Sequence, residues 1–163
     1  MAGLVPALAL ALALAFILTA HAGQGDTPGA SGKAAADGRN LVINIADITD
    51  QASFYTAEAD GTKLEVIVVR APDGTIRTAF NTCQVCYDSG RGYYVQSGKV
   101  LVCQNCGNRF EMSRVEVEAG GCNPWPIFAG NKTVTDETIT ISYDFLKKSK
   151  DIFADWRPDH SDQ

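Results

Sequence analysis

Tyr93-Tyr94-Val95-Gln96-Ser97-Gly98-Lys99-Val100-Leu101-Val102-Cys103-Gln104-Asn105-Cys106-Gly107 reads as a β-hairpin that ends in a pair of chelating cysteines. Aromatic and β-branched residues flank a Gln-Ser-Gly turn, the composition that favours two short antiparallel strands. The exit of the hairpin delivers Cys103 and Cys106 on a short loop. Gly107 suits such a metal knuckle, because glycine turns with φ > 0 at no steric cost and lets backbone N–H groups face the sulfurs.

The same arrangement recurs upstream. Lys63–Arg70 (KLEVIVVR) is a strong β run, Ala71-Pro72-Asp73-Gly74 is turn chemistry, and Thr75–Phe80 is the returning strand. That hairpin delivers Cys83-Gln84-Val85-Cys86 at its exit, but Tyr87 follows the second cysteine, so this loop has to turn differently. Leu41–Ile45 and Thr138–Tyr143 are further strand candidates, with a polar connection over Asp47–Gln51. From Tyr143 the apolar positions Leu146, Ile152, Phe153 and Trp156 predict an amphipathic C-terminal helix. The expected fold class is mainly β: a small sandwich or barrel with one C-terminal amphipathic helix.

At 163 residues the chain has room for one domain. Its net charge of −5 comes without any basic run, which excludes nucleic acid as an expected partner. Leu4–Ala20 is apolar and uncharged, and Ala20-His21-Ala22 has the small-x-small form of a signal-peptidase site. Residues 1–22 are therefore expected to be a signal peptide or an N-terminal membrane anchor acting through residues 4–20. Either way the domain is expected outside the cytoplasm, periplasmic or at the cell surface. Residues 23–39 read as a flexible linker, 40–156 as the cysteine-rich metal-binding domain and 157–163 as a polar tail.

Cys83, Cys86, Cys103 and Cys106 can bring four thiolates to one point, a donor set that selects zinc or iron. The fifth cysteine, Cys122, lies in Gly120-Gly121-Cys122-Asn123-Pro124 and is either a further ligand, a neighbour of the site or a free thiol. The two histidines, His21 and His160, stand far from the cysteines in sequence, so the site is expected to be built from thiolates. Covalent c-type haem needs a histidine after the pair, whereas Tyr87 and Gly107 stand there. A thioredoxin-like pair needs a CxxC opening a helix in a βαβ pattern, which neither pair has. Disulfides within each CxxC would close loops too short to be useful staples. A structural zinc site has the same spacing and stays open.

No triad, phosphate-cradling loop or paired catalytic carboxylates stands out, so a non-enzymatic electron-transfer or metal-binding protein is expected. Phe80, Tyr87, Tyr93, Tyr94, Phe110 and Trp125 read as core that could also screen a metal site. Asp88, Arg91 and Arg109 are loop charges that could meet a partner. Asp47, Asp50, Glu58 and Asp60 are read as surface acids.

The strings Ala79-Phe80-Asn81-Thr82-Cys83-Gln84-Val85-Cys86-Tyr87, Gly92-Tyr93-Tyr94, Val102–Phe110 and Gly120–Ile127 together resemble the FtrD-like membrane iron–sulfur family, over about Asp47 to Phe153. The resemblance implies a bound cluster and a membrane redox or iron-transport partner. A more distant resemblance is to Rieske domains, which hold a [2Fe–2S] cluster on two hairpin loops under a Gly-Pro-rich cover. Cys103-Gln104-Asn105-Cys106-Gly107 with Phe110 is similar to their second loop, with Cys106 where histidine would stand. Gly121–Pro126 is similar to the cover, whereas Cys83-Gln84-Val85-Cys86 departs from Cys-x-His.

These likenesses imply a Rieske-like or rubredoxin-knuckle β fold with a [2Fe–2S] cluster on Cys83, Cys86, Cys103 and Cys106. Thiolates in place of two imidazoles would lower its potential towards about −400 mV. The expected function is an extracytoplasmic one-electron carrier or an accessory to membrane iron transport. The alternative is a structural zinc-binding module that mediates protein interaction.

Overall fold

A computed structural model describes residues 31–35 and 38–158. Its strands are β1 (Ser31–Ala35), β2 (Leu41–Asn44), β3 (Ser53–Ala59), β4 (Thr62–Arg70), β5 (Ile76–Cys83) and β6 (Tyr94–Ser97), then β7 (Val100–Cys103), β8 (Arg109–Glu111), β9 (Pro124–Pro126), β10 (Thr133–Val134) and β11 (Thr138–Ile141). One helix, α1 (Tyr143–Ser149), closes the order and continues into a 3-10 turn over Lys150–Phe153. The chain is mainly β with a short C-terminal helix, as the sequence predicts.

The strands form three sheets, ordered β1-β3-β4-β5-β9, β10-β11-β2 and β6-β7-β8. β3, β4, β5 and β9 pair antiparallel, and β1 alone lies parallel to its neighbour, with Ser31 opposite Phe54. β3 was not foreseen from its own residues. Its hairpin to β4 turns through Asp60 and Gly61, both left-handed at φ 49° and 77°. Asp-Gly between two apolar runs is the signature of a two-residue hairpin turn. β1 falls within the stretch expected to be a linker. Gly32 makes that pairing possible, because a Cβ there would lie 1.8 Å from the Tyr55 ring.

β4 divides the interior in two. Leu64, Val66 and Val68 face one core, with Phe80, Ile127, Ile139, Ile141, Leu146 and Phe153. Ile67 and Val69 face the other, with Ala79, Cys83, Tyr94, Leu101, Cys103 and Phe110. The period-two alternation of a strand buried on both faces thus builds a core on each side. Each large apolar side chain so buried contributes about 1.5–3 kcal/mol.

Ser142 caps α1 by accepting the Phe145 N–H at 3.3 Å. Phe145 and Phe153 then pack on Phe80, with centroids 5.8 and 5.6 Å apart. The segment after the 3-10 turn reaches the cysteine side of the fold: Trp156 Nε1 donates to Asn81 O at 2.8 Å and Arg157 N to Gly90 O at 2.9 Å. The expected signal or anchor over 1–22 lies outside the described residues. Among the described residues no helix is long and apolar enough to cross a membrane.

Candidate metal centre

β5 ends at Cys83 and β7 at Cys103, so both CxxC loops leave the rims of neighbouring sheets. In each loop the first sulfur receives two backbone amides in equivalent positions. Val85 and Cys86 N–H groups face Cys83, while Asn105 and Cys106 N–H groups face Cys103. The Asn108 amide adds a bond to Cys106.

The turns themselves differ. The second loop closes on itself through Gly107 N to Cys103 O (2.9 Å), with Gly107 at φ 71°. The first has no such glycine. Instead, Cys86 O accepts Ser89 N (3.1 Å) and Ser89 Oγ (2.7 Å), and a Cβ on Gly92 would fall 2.4 Å from that carbonyl oxygen. Cys83 N donates to Gly92 O at 2.7 Å.

Asn81 ties the two hairpins together. Its Oδ1 accepts Tyr94 N at 2.7 Å, and its Nδ2 donates to Tyr94 O at 3.3 Å and to Glu65 Oε2 at 2.7 Å. All three residues are buried. A buried amide that pairs across two sheets fixes their spacing, because losing a partner leaves a desolvated polar group.

A third segment covers the site. Cys122 O accepts Tyr94 Oη at 2.8 Å and Asn108 Nδ2 at 2.7 Å. Gln84 grips the same segment on either side, donating from Nε2 to Pro124 O (3.1 Å) and accepting Gly120 N at Oε1 (2.9 Å). Further back, Glu116 at φ 63° accepts Thr78 N at 2.9 Å and pairs with Lys132, whose side chain is buried.

The result is five free thiols in two overlapping trios. The sulfurs of Cys83, Cys86 and Cys122 lie within 4.8 Å of one another, as do those of Cys86, Cys103 and Cys106. Tetrahedral coordination at a metal–sulfur distance near 2.3 Å needs sulfurs roughly 3.8 Å apart, so small adjustments suffice. Cys83, Cys86 and Cys103 are buried, Cys106 is exposed and Cys122 is half-buried. All four predicted ligands come together, and Cys122 joins them.

Protons are shared unevenly across this group. The Cys103 hydrogen bond, aided by Tyr94 and the two loop amides against the cost of burial, lowers Cys83 to about 4. Cys103 is raised as the other half of that bond and by burial. Burial raises Cys86. Burial also pushes Cys106 up, but the Asn108 amide and the neighbouring thiols outweigh it, and the group is lowered. Cys122 rises to about 11 through its hydrogen bond to Cys106 and then burial. With Cys83 and Cys106 lowered and Cys86, Cys103 and Cys122 raised, an incoming metal displaces protons from the raised thiols.

The other residues singled out by sequence divide clearly. Tyr93, Tyr94 and Phe110 are buried beside the site, whereas Phe80 belongs to the opposite core. Trp125 meets Tyr87 edge-on at 5.9 Å. Asp88, Arg91 and Arg109 are exposed. Asp60 pairs with Lys147 and Lys150 at the far end of the sheet. Sequence reasoning missed Glu65, Asn81, Gln84 and Asn108, the polar frame of the site. Glu65 and Asn81 had a signal, since each is a polar residue inside an otherwise apolar strand.

Among curated proteins no relative matches the sequence. Residues 36–153 match the family model described as membrane iron-sulfur containing protein FtrD-like, and the chain belongs to that FtrD-like family.

Proposed function

We propose that the protein carries an iron–sulfur cluster, a [2Fe–2S] centre, and serves outside the cytoplasm as a one-electron carrier or as an accessory to a membrane iron-transport or redox partner. The observation that carries this reading is the gathering of five thiols at one place, in a family described by iron–sulfur content. A single tetrahedral zinc asks for four mutually adjacent donors. Cys83 also bonds to Cys103 across the two trios, so the thiols form one compact group, and it is the family's description that favours iron–sulfur over zinc.

The donor set fits such a cluster. All five candidate donors are thiols, and thiolates are the usual protein ligands of [2Fe–2S] centres. Cys83, Cys86, Cys103 and Cys106 would hold it, and the cluster would supply a one-electron donor and acceptor. The protein's part is electrostatic and steric. Amides at Cys83, Cys103 and Cys106 and the Tyr94 hydroxyl stabilise sulfur-centred negative charge. Leu101, Phe110, Met112 and Val115 keep water from the inner side. The exposed Cys106 leaves one edge of the centre open to a partner.

Metal and acid-labile sulfide analysis of the protein purified without oxygen tests this. The expected result is about two irons and two sulfides per chain, a coloured protein, and a midpoint potential well below about 0 mV. One zinc, no sulfide and no colour would instead establish the structural zinc module, since zinc is d¹⁰.

A further inference from the structure

Cys122 is held more firmly than a spare thiol requires. Its carbonyl takes two side-chain hydrogen bonds, one from Tyr94 of the second hairpin and one from Asn108 beyond the second cysteine loop. Gln84 of the first loop brackets the same segment at Gly120 and Pro124, and Gln84 N donates to Asn123 O at 3.0 Å. Both cysteine loops therefore position this residue, and they place its sulfur within 4.8 Å of Cys83 and Cys86.

Five thiols serve a cluster that takes four, so one position has two claimants. The Cys103–Cys106 pair is fixed by its own loop: Asn105 and Cys106 amides hold Cys103, and the Asn108 amide holds Cys106. Cys83 is fixed in the same way by Val85 and Cys86. Cys86 lacks the glycine that follows its counterpart and, like Cys122, it neighbours both Cys83 and Cys106. Gly120 and Gly121 are left-handed at φ 89° and 59°, and nothing lies within 4 Å of a Cβ at either.

We propose that Cys86 and Cys122, which share Cys83 as a neighbour, are alternative ligands for one coordination position, while Cys83, Cys103 and Cys106 keep theirs. The inference rests on the iron–sulfur reading above. Exchange in one direction forms a sulfur–iron bond at Cys122 and breaks one at Cys86. The proton leaving the Cys122 thiol passes to the departing Cys86 thiolate, so net charge is unchanged and no oxidant or reductant is needed. The two forms differ in exposure, because Cys86 is buried and Cys122 is half-buried. A partner pressing on Gly120-Gly121 would thereby bias which thiolate is bound.

Cysteine-to-serine variants of the full chain, reconstituted without oxygen with iron and sulfide, test the exchange. Wild-type iron and sulfide content comes first: its failure defeats the cluster reading itself, and the variants then decide the ligands. Cys86→Ser and Cys122→Ser are each expected to keep at least four-fifths of the wild-type iron, with Cys86→Ser shifted in its visible absorption and paramagnetic resonance spectra. The double variant Cys86→Ser/Cys122→Ser is expected to lose most of its iron, as are Cys83→Ser, Cys103→Ser and Cys106→Ser. Loss of the cluster in either Cys86→Ser or Cys122→Ser alone overturns the proposal, and so does a double variant that retains it. Circular dichroism of the metal-free variants separates loss of a ligand from loss of the fold. Cys86→Ala repeats the trial with a side chain that cannot coordinate.

Discussion

The two cysteine loops have the same spacing and the same amide pattern at the first sulfur, yet they are made in different ways. Cys103–Gly107 is closed locally, by a left-handed glycine and a hydrogen bond from Gly107 N to Cys103 O. Cys83–Cys86 is assembled from distant parts of the chain. Ser89 and Gly92 crowd its carbonyl, Asn123 accepts from Gln84, and Arg157 holds Gly90 from the far end of the sequence. The loop with the glycine can keep its shape with little help. The loop without it depends on the packed fold, and the extra cysteine stands at this second, dependent corner.

Cutting the link between the loops costs the fold most. Asn81→Ala removes the acceptor of the buried Tyr94 amide and a donor to buried Glu65. The expected cost is about 2–4 kcal/mol in denaturant unfolding of the metal-free protein. A cost under about 1 kcal/mol would mean that the hairpins hold their spacing without it. A glycine pair comes next. Gly92→Ala drives a methyl against the Cys86 backbone and is expected to cost about 1–3 kcal/mol. Gly107→Ala meets open space and pays only for its positive φ, about 1 kcal/mol. If Gly107→Ala proved the worse of the two, the second loop would not be the self-sufficient one.

The contrast also explains what was legible in the sequence. Elements specified by neighbouring residues could be read: the hairpin into Cys103, the Pro-Asp-Gly turn after β4 and the strand at Thr138. The Asp60-Gly61 turn was equally local and marked β3, although the strand's mix of Ser, Thr, Glu and Ala hid it. β9 could not be read, because Pro124-Trp125-Pro126 becomes a strand only by lying along β5, with Trp125 opposite Phe80. β8 is similar, three residues defined by β7. The four paired cysteines could be placed from spacing alone. The corner taken by Cys122 could not, because Tyr94, Asn108 and Gln84 fix it through contacts that only the folded chain makes. The C-terminal helix was placed correctly but is shorter than its apolar pattern, giving way to a 3-10 turn at Lys150.

Tyr94→Phe gives the smallest and most selective perturbation. The hydroxyl donates to Cys122 O and lies within hydrogen-bonding reach of Cys83, so its loss touches the first loop and the covering segment but leaves Cys103–Gly107 intact. In the metal-free protein Cys83 is a thiolate held down to about 4, and its ultraviolet thiolate absorbance is expected to vanish as pH falls through that value. A depressed folded-state pKa means the stabilisation acts on the charged form and is lost on acidification. Phenylalanine removes one stabilising donor, so the same loss should occur at higher pH. In the loaded protein the same donor favours the more negative, reduced state. Its removal should therefore lower the midpoint potential by about 20–60 mV, the equivalent of one hydrogen bond of about 0.5–1.5 kcal/mol. An unchanged potential together with an unchanged thiolate titration would place the Tyr94 proton wholly on the Cys122 carbonyl and reduce its role to holding the cover in place.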